Sequence, residues 1–209
     1  MHVWRVDLAS LAGRLDERLS RPERERAAGS VHERSLWSTS RGMLRTLLGR
    51  YLQLDPRSLT FATGTHGKPA LASGRTGRPA LRFSLSHSGS LALYAFAAGE
   101  EVGVDVQTTD RLRNGPRAAE RRLGLARRVF GEDAARELRT LRADEREREF
   151  LRRWTRYEAE LKCRGTGVHE GRESDPPALW AVDLDVGAGA AATLACAEPP
   201  HHLHQWEWS

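Results

Sequence analysis

Lysine is almost missing from this chain. Of its 33 basic residues only Lys68 and Lys162 are lysine, and the other 31 are arginine. Cysteine is as scarce. Cys163 and Cys196 stand alone, which makes no disulfide framework and no metal-ligand spacing and points to a reducing, cytoplasmic setting. No apolar run approaches the roughly 20 residues that a membrane helix needs. The first stretch, Met1 to Leu11, carries Arg5 and Asp7 among its apolar residues and does not read as a secretory signal. There is no P-loop and no Gly-x-Ser-x-Gly elbow.

What is present is a moderately polar chain of 209 residues, with 29% charged residues, 39% hydrophobic ones and a formal charge of +5. The length suits one large domain or two small ones sharing a core. The positive field attracts anions, which include nucleic acid, phosphorylated cofactors and acidic proteins.

Three stretches are legible. Between Arg34 and Leu52 the residues Leu36, Met43, Leu44, Leu47, Leu48, Tyr51 and Leu52 recur at helical spacing, and Asp55-Pro56 follows as a stop. The middle is extended: Leu81, Phe83 and Leu85 alternate with polar residues, Ser88-Gly89 turns the chain, and Leu91–Ala97 and Val102–Gln107 complete a predicted β-meander. From Ala118 to Cys163 the pattern is helical again, punctuated by Gly131 and Gly165. Beyond a polar loop through Pro176-Pro177, Leu179–Val186 and Ala191–Ala197 read as strands, and His201, His202 and His204 as part of a solvated tail.

Several constellations could carry chemistry. In the third strand, alternation puts Val102, Val104 and Val106 on one face and Gly103, Asp105 and Gln107 on the other. A glycine beside a carboxylate leaves room for a ligand to approach the backbone, and two oxygen-bearing side chains pointing together suit a hard cation. In the last helix Trp154, Glu158 and Lys162 share a face. That spacing serves equally a metal or proton site beside a phosphate-binding ammonium, or a surface Glu–Lys pair worth a few tenths of a kcal/mol. Arg34, Arg41 and Arg45 fall within a sector of about 40° on the first helix. They could grip a phosphate or lay their stems over apolar surface. His66-Gly67-Lys68-Pro69 and Ser84-Leu85-Ser86-His87-Ser88-Gly89 add two polar loops or strand ends.

Taken in order, Gly67-Lys68-Pro69, Phe83-Ser84-Leu85-Ser86-His87-Ser88-Gly89, Val102-Gly103-Val104-Asp105-Val106-Gln107 and Trp154-Thr155-Arg156-Tyr157-Glu158-Ala159, with Lys162 and Gly165-Thr166-Gly167, resemble the motifs of the Sfp-type phosphopantetheinyl transferases. The likeness runs from about Arg34 to Val168. It implies an α+β fold of two similar halves, here 1–103 and 104–209, with the active site between them. It implies transfer of phosphopantetheine from coenzyme A to a serine of an apo acyl or peptidyl carrier protein, with Mg2+ and release of adenosine 3′,5′-bisphosphate. Polyketide or non-ribosomal peptide synthases are the carriers it suggests, in a cytoplasmic monomer that needs neither nucleic acid nor a membrane.

Residue by residue, the resemblance makes Asp105 and Glu158 metal-binding carboxylates, with Gln107 where the family usually has glutamate. Glu158 is the general base, and Lys162 the cation beside the pyrophosphate. Lys68, Ser86 and His87 match coenzyme-binding positions, and Arg34 and Arg41 the basic residues that hold the 3′-phosphate. Tyr157 stands where the family usually has lysine. That both lysines of an arginine-rich chain fall on motif positions agrees with a need for compact ammonium groups there. Two other readings stay open: a coenzyme A-binding relative that has lost catalysis, hinted at by Gln107, and a basic nucleic-acid-binding protein, though no zinc knuckle, helix-turn-helix or aromatic β-face supports the latter.

Overall fold

The computed structural model of the chain describes residues 1–27, 33–64, 67–72, 80–109, 116–166 and 177–209. A short helix, α1 (Arg21–Ala27), precedes the long helix α2 (Glu33–Leu52). The helical spacing of Met43, Leu44, Leu47 and Leu48 puts all four in the core, against Val6, Phe83, Ala92, Tyr94 and Phe96. Burying each such leucine is worth roughly 2–3 kcal/mol. Helix α2 ends one turn earlier than Asp55-Pro56 alone would require. Gln53 adopts φ 56°, and the Leu54 amide closes on the Gly49 carbonyl at 3.0 Å, a left-handed helix ending. Asp55 instead caps the following turn by accepting from the Arg57 amide.

The strands β1 (His2–Asp7), β4 (Leu81–Ser88), β5 (Leu91–Ala98) and β9 (His204–Trp208) form one sheet in the order β4-β5-β1-β9. A two-residue turn joins β4 to β5, and Gly89 supplies its positive φ of 59°. Two short strands, β2 (Phe61–Thr63) and β3 (Pro69–Leu71), pair separately. The expected meander stops after its second strand. β1 occupies the other side of β5, so the third strand, β6 (Val102–Thr108), crosses into a second sheet of order β6-β8-β7 with β7 (Trp180–Asp183) and β8 (Ala190–Cys196).

His201, His202 and His204 are exposed, as a solvated tail would have them, but from His204 the chain forms a strand that the sequence reading did not expect. β9 runs parallel to β1, with His204 paired to His2 and Trp206 to Trp4. The aromatic rings provide the reason: Trp4 stacks on Trp206 with centroids 5.7 Å apart, and His204 on Trp206 at 6.0 Å.

The two sheets face each other. Val3, Leu93, Ala95 and Ala97 of the first pack on Val102, Val104, Val106 and Leu194 of the second. Helix α2 covers the outer face of the first sheet. The second is covered by α5 (Ala143–Arg164), which continues from α3 (Pro116–Phe130) and α4 (Glu132–Thr140). The result is an α+β fold of four layers, helix, sheet, sheet, helix.

Where the sheets meet, serine side chains stand in for a β-ladder. The Val104 amide donates to Ser84 Oγ at 3.1 Å, the Thr108 amide to Ser88 Oγ at 3.0 Å, and between them Ser86 donates its hydroxyl to Asp105 Oδ1 at 2.6 Å. The period-two spacing of Ser84, Ser86 and Ser88 thus satisfies the open edge of β6 without merging the sheets.

Candidate active site

Strand β6 presents its faces as the alternation predicts, with valines toward the first sheet and Gly103, Asp105 and Gln107 toward α5. The room at Gly103, however, is taken by the helix and not by a ligand. A Cβ there would overlap the Ala159 carbonyl oxygen and come within 2.5 Å of the Cys163 nitrogen. Glycine is needed because α5 lies directly on the strand. This close approach brings Lys162 and Glu158 over Asp105.

Asp105 is buried, only 2% exposed, and receives three donors. Lys162 Nζ lies 2.7 Å from Oδ1, Ser86 Oγ bonds the same oxygen at 2.6 Å, and Gln107 Nε2 reaches Oδ2 at 3.3 Å. A carboxylate can be buried ionised only with such compensation. Glu158 is held differently. Burial pushes its carboxyl pKa upward, the charge of Asp105 pushes the same way, and Lys162 offsets only part. The one ammonium thus bonds Asp105 and acts on Glu158 through its charge alone.

Beside this acidic cluster lies a cavity of about 520 Å³ whose lining includes Arg41, Lys68, His87, Lys162, Gly165 and Thr166. Gly165, at φ 72°, ends α5 and lets the chain turn along the cavity wall. Lys68 Nζ bonds Glu101 at 2.7 Å and the Val102 carbonyl at 3.1 Å. It therefore ties the loop before β3 to the start of β6. The expected site residues thus fall into two adjoining groups. Arg41, Lys68, His87 and Lys162 line the cavity, while Asp105, Gln107, Glu158 and Ser86 form the acidic cluster. Lys162 belongs to both.

Ser86, expected among the coenzyme-binding positions, donates to Asp105 and is not among the residues that line the cavity. Arg45 is also set apart from Arg41. Only 2% exposed, it donates to Glu23 at 2.6 Å and to the Pro56 and Leu59 carbonyls at 2.6 and 3.1 Å, an internal strut. The side chain of Arg34, and all of His66 and Gly167, lie outside the described residues. Tyr157 packs edge-on to Phe130 at 6.1 Å and against Trp154 at 6.0 Å, so an aromatic contact fills the position where the family usually has lysine.

Sequence reasoning missed Glu23, Phe61 and Trp37. Arg41 donates to Glu23 Oε1 at 2.5 Å and lies 3.8 Å above the Phe61 ring. Trp37, covered by Arg26 at 4.7 Å, lines the same cavity. The one available signal was Ser20-x-x-Glu23, a helix-start pattern; here the Ser20 amide donates to Glu23 at 2.9 Å.

The donor set of the acidic cluster, two carboxylates and an amide, is all oxygen apart from the amide nitrogen, and fits a hard divalent cation. Among the described residues no group of three or more His, Cys, Asp or Glu gathers as a metal site, so Asp105 and Glu158 are the only acidic ligands the cluster offers. No helix among the described residues is long and apolar enough to cross a membrane.

Fold and site together define an α+β protein with a cavity lined by basic side chains set against a paired-carboxylate centre. The family model of the 4′-phosphopantetheinyl transferase superfamily matches residues 101–209. The chain is 32% identical over 176 residues to the 4′-phosphopantetheinyl transferase HetI of Nostoc sp., spanning 80% of this chain and 70% of that one. It is 26% identical over 191 residues to the 4′-phosphopantetheinyl transferase Sfp of Bacillus subtilis, spanning 90% and 77%. It is 35% identical over 121 residues to the 4′-phosphopantetheinyl transferase AcpT of Salmonella typhimurium, spanning 58% and 56%. The chain belongs to the 4′-phosphopantetheinyl transferase superfamily and is a transferase of this type.

Proposed function

We propose that this transferase takes the phosphopantetheine arm from coenzyme A, attaches it to the serine of an apo acyl or peptidyl carrier protein, and releases adenosine 3′,5′-bisphosphate. The observation that carries the reading is the single ammonium, Lys162, shared between the cavity and the buried Asp105. A pyrophosphate in the cavity would meet that ammonium at the edge nearest the two carboxylates.

Arg41, Lys68 and His87 bind the anionic donor, as charge-assisted bonds to phosphate require. Asp105, Glu158 and the amide of Gln107 are the residues that would hold Mg2+, which when bound neutralises phosphate charge and orients the phosphoryl group. Glu158 accepts the proton of the carrier serine; a carboxylate of raised proton affinity is the stronger base while it remains ionised. The serine oxygen bonds to the β-phosphorus as the bond to the leaving phosphate oxygen breaks. Lys162 stabilises the charge that develops on that leaving group. Residues 1–103 thus supply mainly donor binding and residues 104–209 the carboxylates. The positive charge of the chain suits an acidic carrier surface. The protein acts as a cytoplasmic monomer serving a polyketide or non-ribosomal peptide synthase.

The test is intact-protein mass spectrometry of apo carriers incubated with the protein, coenzyme A and Mg2+. A gain of one phosphopantetheinyl group that a chelator abolishes supports the reading. Binding of coenzyme A with no gain on any carrier would favour the catalytically silent relative instead.

A further inference from the structure

Glu23 sits between two guanidinium groups, and the arrangement is asymmetric. Arg45 is enclosed: Glu23 Oε2 lies 2.6 Å from its Nε, and two backbone carbonyls take its Nη1. Arg41 reaches Glu23 with its Nε edge alone, at 2.5 Å, and has one face covered by the Phe61 ring at 3.8 Å. Its side chain is 20% exposed, against 3% for Arg45. One carboxylate facing two guanidinium groups leaves a surplus of one positive charge. Because Arg45 is internally satisfied, that charge is expressed at Arg41, which lines the cavity. Among the described residues, the two Nη groups of Arg41 have no hydrogen-bond partner, and they are the edge that binds phosphate in a bidentate way.

We propose that Glu23 and Phe61 are positioning residues that hold the Arg41 guanidinium edge-on to the cavity as a preorganised fork for a phosphate of the donor. Glu23 fixes the Nε edge and Phe61 the plane, so the two Nη groups are left held as a fork. Fixing a long side chain before the ligand arrives lowers the ordering cost of binding. Glu23 is itself anchored, accepting from the amide and hydroxyl of Ser20 at 2.9 Å each. Phe61 is braced edge-on by Phe83 at 6.1 Å. The inference rests on the proposed function, since it takes coenzyme A as the donor.

The experiment measures coenzyme A affinity by calorimetry, together with transfer kinetics, for wild type, Phe61→Leu, Phe61→Tyr, Glu23→Gln, Arg41→Ala and the double variant Phe61→Leu/Arg41→Ala. Phe61→Leu is included because Glu23→Gln removes a charge-assisted bond from the buried Arg45, whereas Phe61 meets Arg45 only through a longer ring contact, at 5.0 Å. Loss of the cation–π contact should weaken coenzyme A binding roughly three- to thirtyfold, raise KM for coenzyme A alone and leave kcat unchanged. Phe61→Tyr should restore wild-type affinity, and Phe61→Leu should add nothing to Arg41→Ala. Unchanged affinity in Phe61→Leu, or a loss that adds in full to that of Arg41→Ala, would overturn the positioning role while leaving the transferase reading intact. A wild-type protein that binds no coenzyme A would overturn both.

Discussion

Lys162 of helix α5 and Asp105 of strand β6 form an ion pair of 2.7 Å, 57 residues apart in sequence, with the carboxylate almost wholly buried and the ammonium at the edge of the cavity. The pair joins the second sheet to its covering helix and the acidic cluster to the cavity lined by basic side chains. A compact ammonium can serve both sides because it carries three donors on a point charge. Lys162→Ala should leave Asp105 buried with a deficit of one cation. We expect it to lower stability by about 2–4 kcal/mol and transfer by about a hundredfold or more. Lys162→Arg should recover the stability more fully than the turnover. Denaturant unfolding and transfer rates on the same preparations check this; full recovery of turnover by arginine would contradict it.

A second prediction concerns Gly103. Any Cβ there meets the Ala159 carbonyl and the Cys163 nitrogen of α5, both backbone atoms that no rotamer change can move aside. Gly103→Ala should destabilise the protein by about 1–3 kcal/mol or more and push α5 off β6, lowering Tm by several degrees. A melting curve followed by circular dichroism tests it, and a variant with unchanged Tm would show that the helix does not rest on the strand there.

These two positions also show what was and was not legible in the sequence. The alternation in β6 and the i, i+4, i+8 spacing of Trp154, Glu158 and Lys162 are local periodicities, and both faces lie where the periods put them. What the glycine was for depended on which element covered that face, which is long-range information. The departure of β6 from the meander has the same origin, because it depends on β1 having taken the edge of β5. β9 went unseen because its partner is some 200 residues away and its aromatic residues look like an exposed tail until they meet Trp4. Glu23 went unseen because its partners lie 18 and 22 residues downstream.

The acid stability of the chain should reflect Glu23. Burial raises its carboxyl pKa, but bonds from Arg45, Arg41 and Ser20 outweigh that and bring it down to about 2. A carboxyl depressed in the folded state adds stability above its unfolded value of roughly 4.5 and loses it as pH falls through the folded one. The free energy of unfolding should therefore fall between about pH 5 and pH 2. The difference between wild type and Glu23→Gln, of order 3 kcal/mol at neutral pH, should shrink over the same window. A difference independent of pH would contradict the charge-assisted account.

Gln107 supplies an amide 3.3 Å from Asp105 where a third carboxylate would bring charge. Gln107→Glu places like charges together, so without divalent metal it should destabilise the protein by about 1 kcal/mol, and Mg2+ should restore the stability lost. The same variant should reach half-maximal transfer at a lower Mg2+ concentration than wild type. Superimposable titrations of activity and of Tm against Mg2+ would show that position 107 does not reach the ion.

The most direct test of the site as a whole is the single-turnover transfer rate of Glu158→Gln, read by intact mass of the carrier at saturating coenzyme A and Mg2+. The substitution keeps the shape and removes the base, so we predict a fall in rate of about a hundredfold or more with coenzyme A still bound. A rate equal to that of wild type would contradict the assignment of the Asp105–Glu158–Lys162 cluster as the place where the phosphopantetheinyl group is transferred.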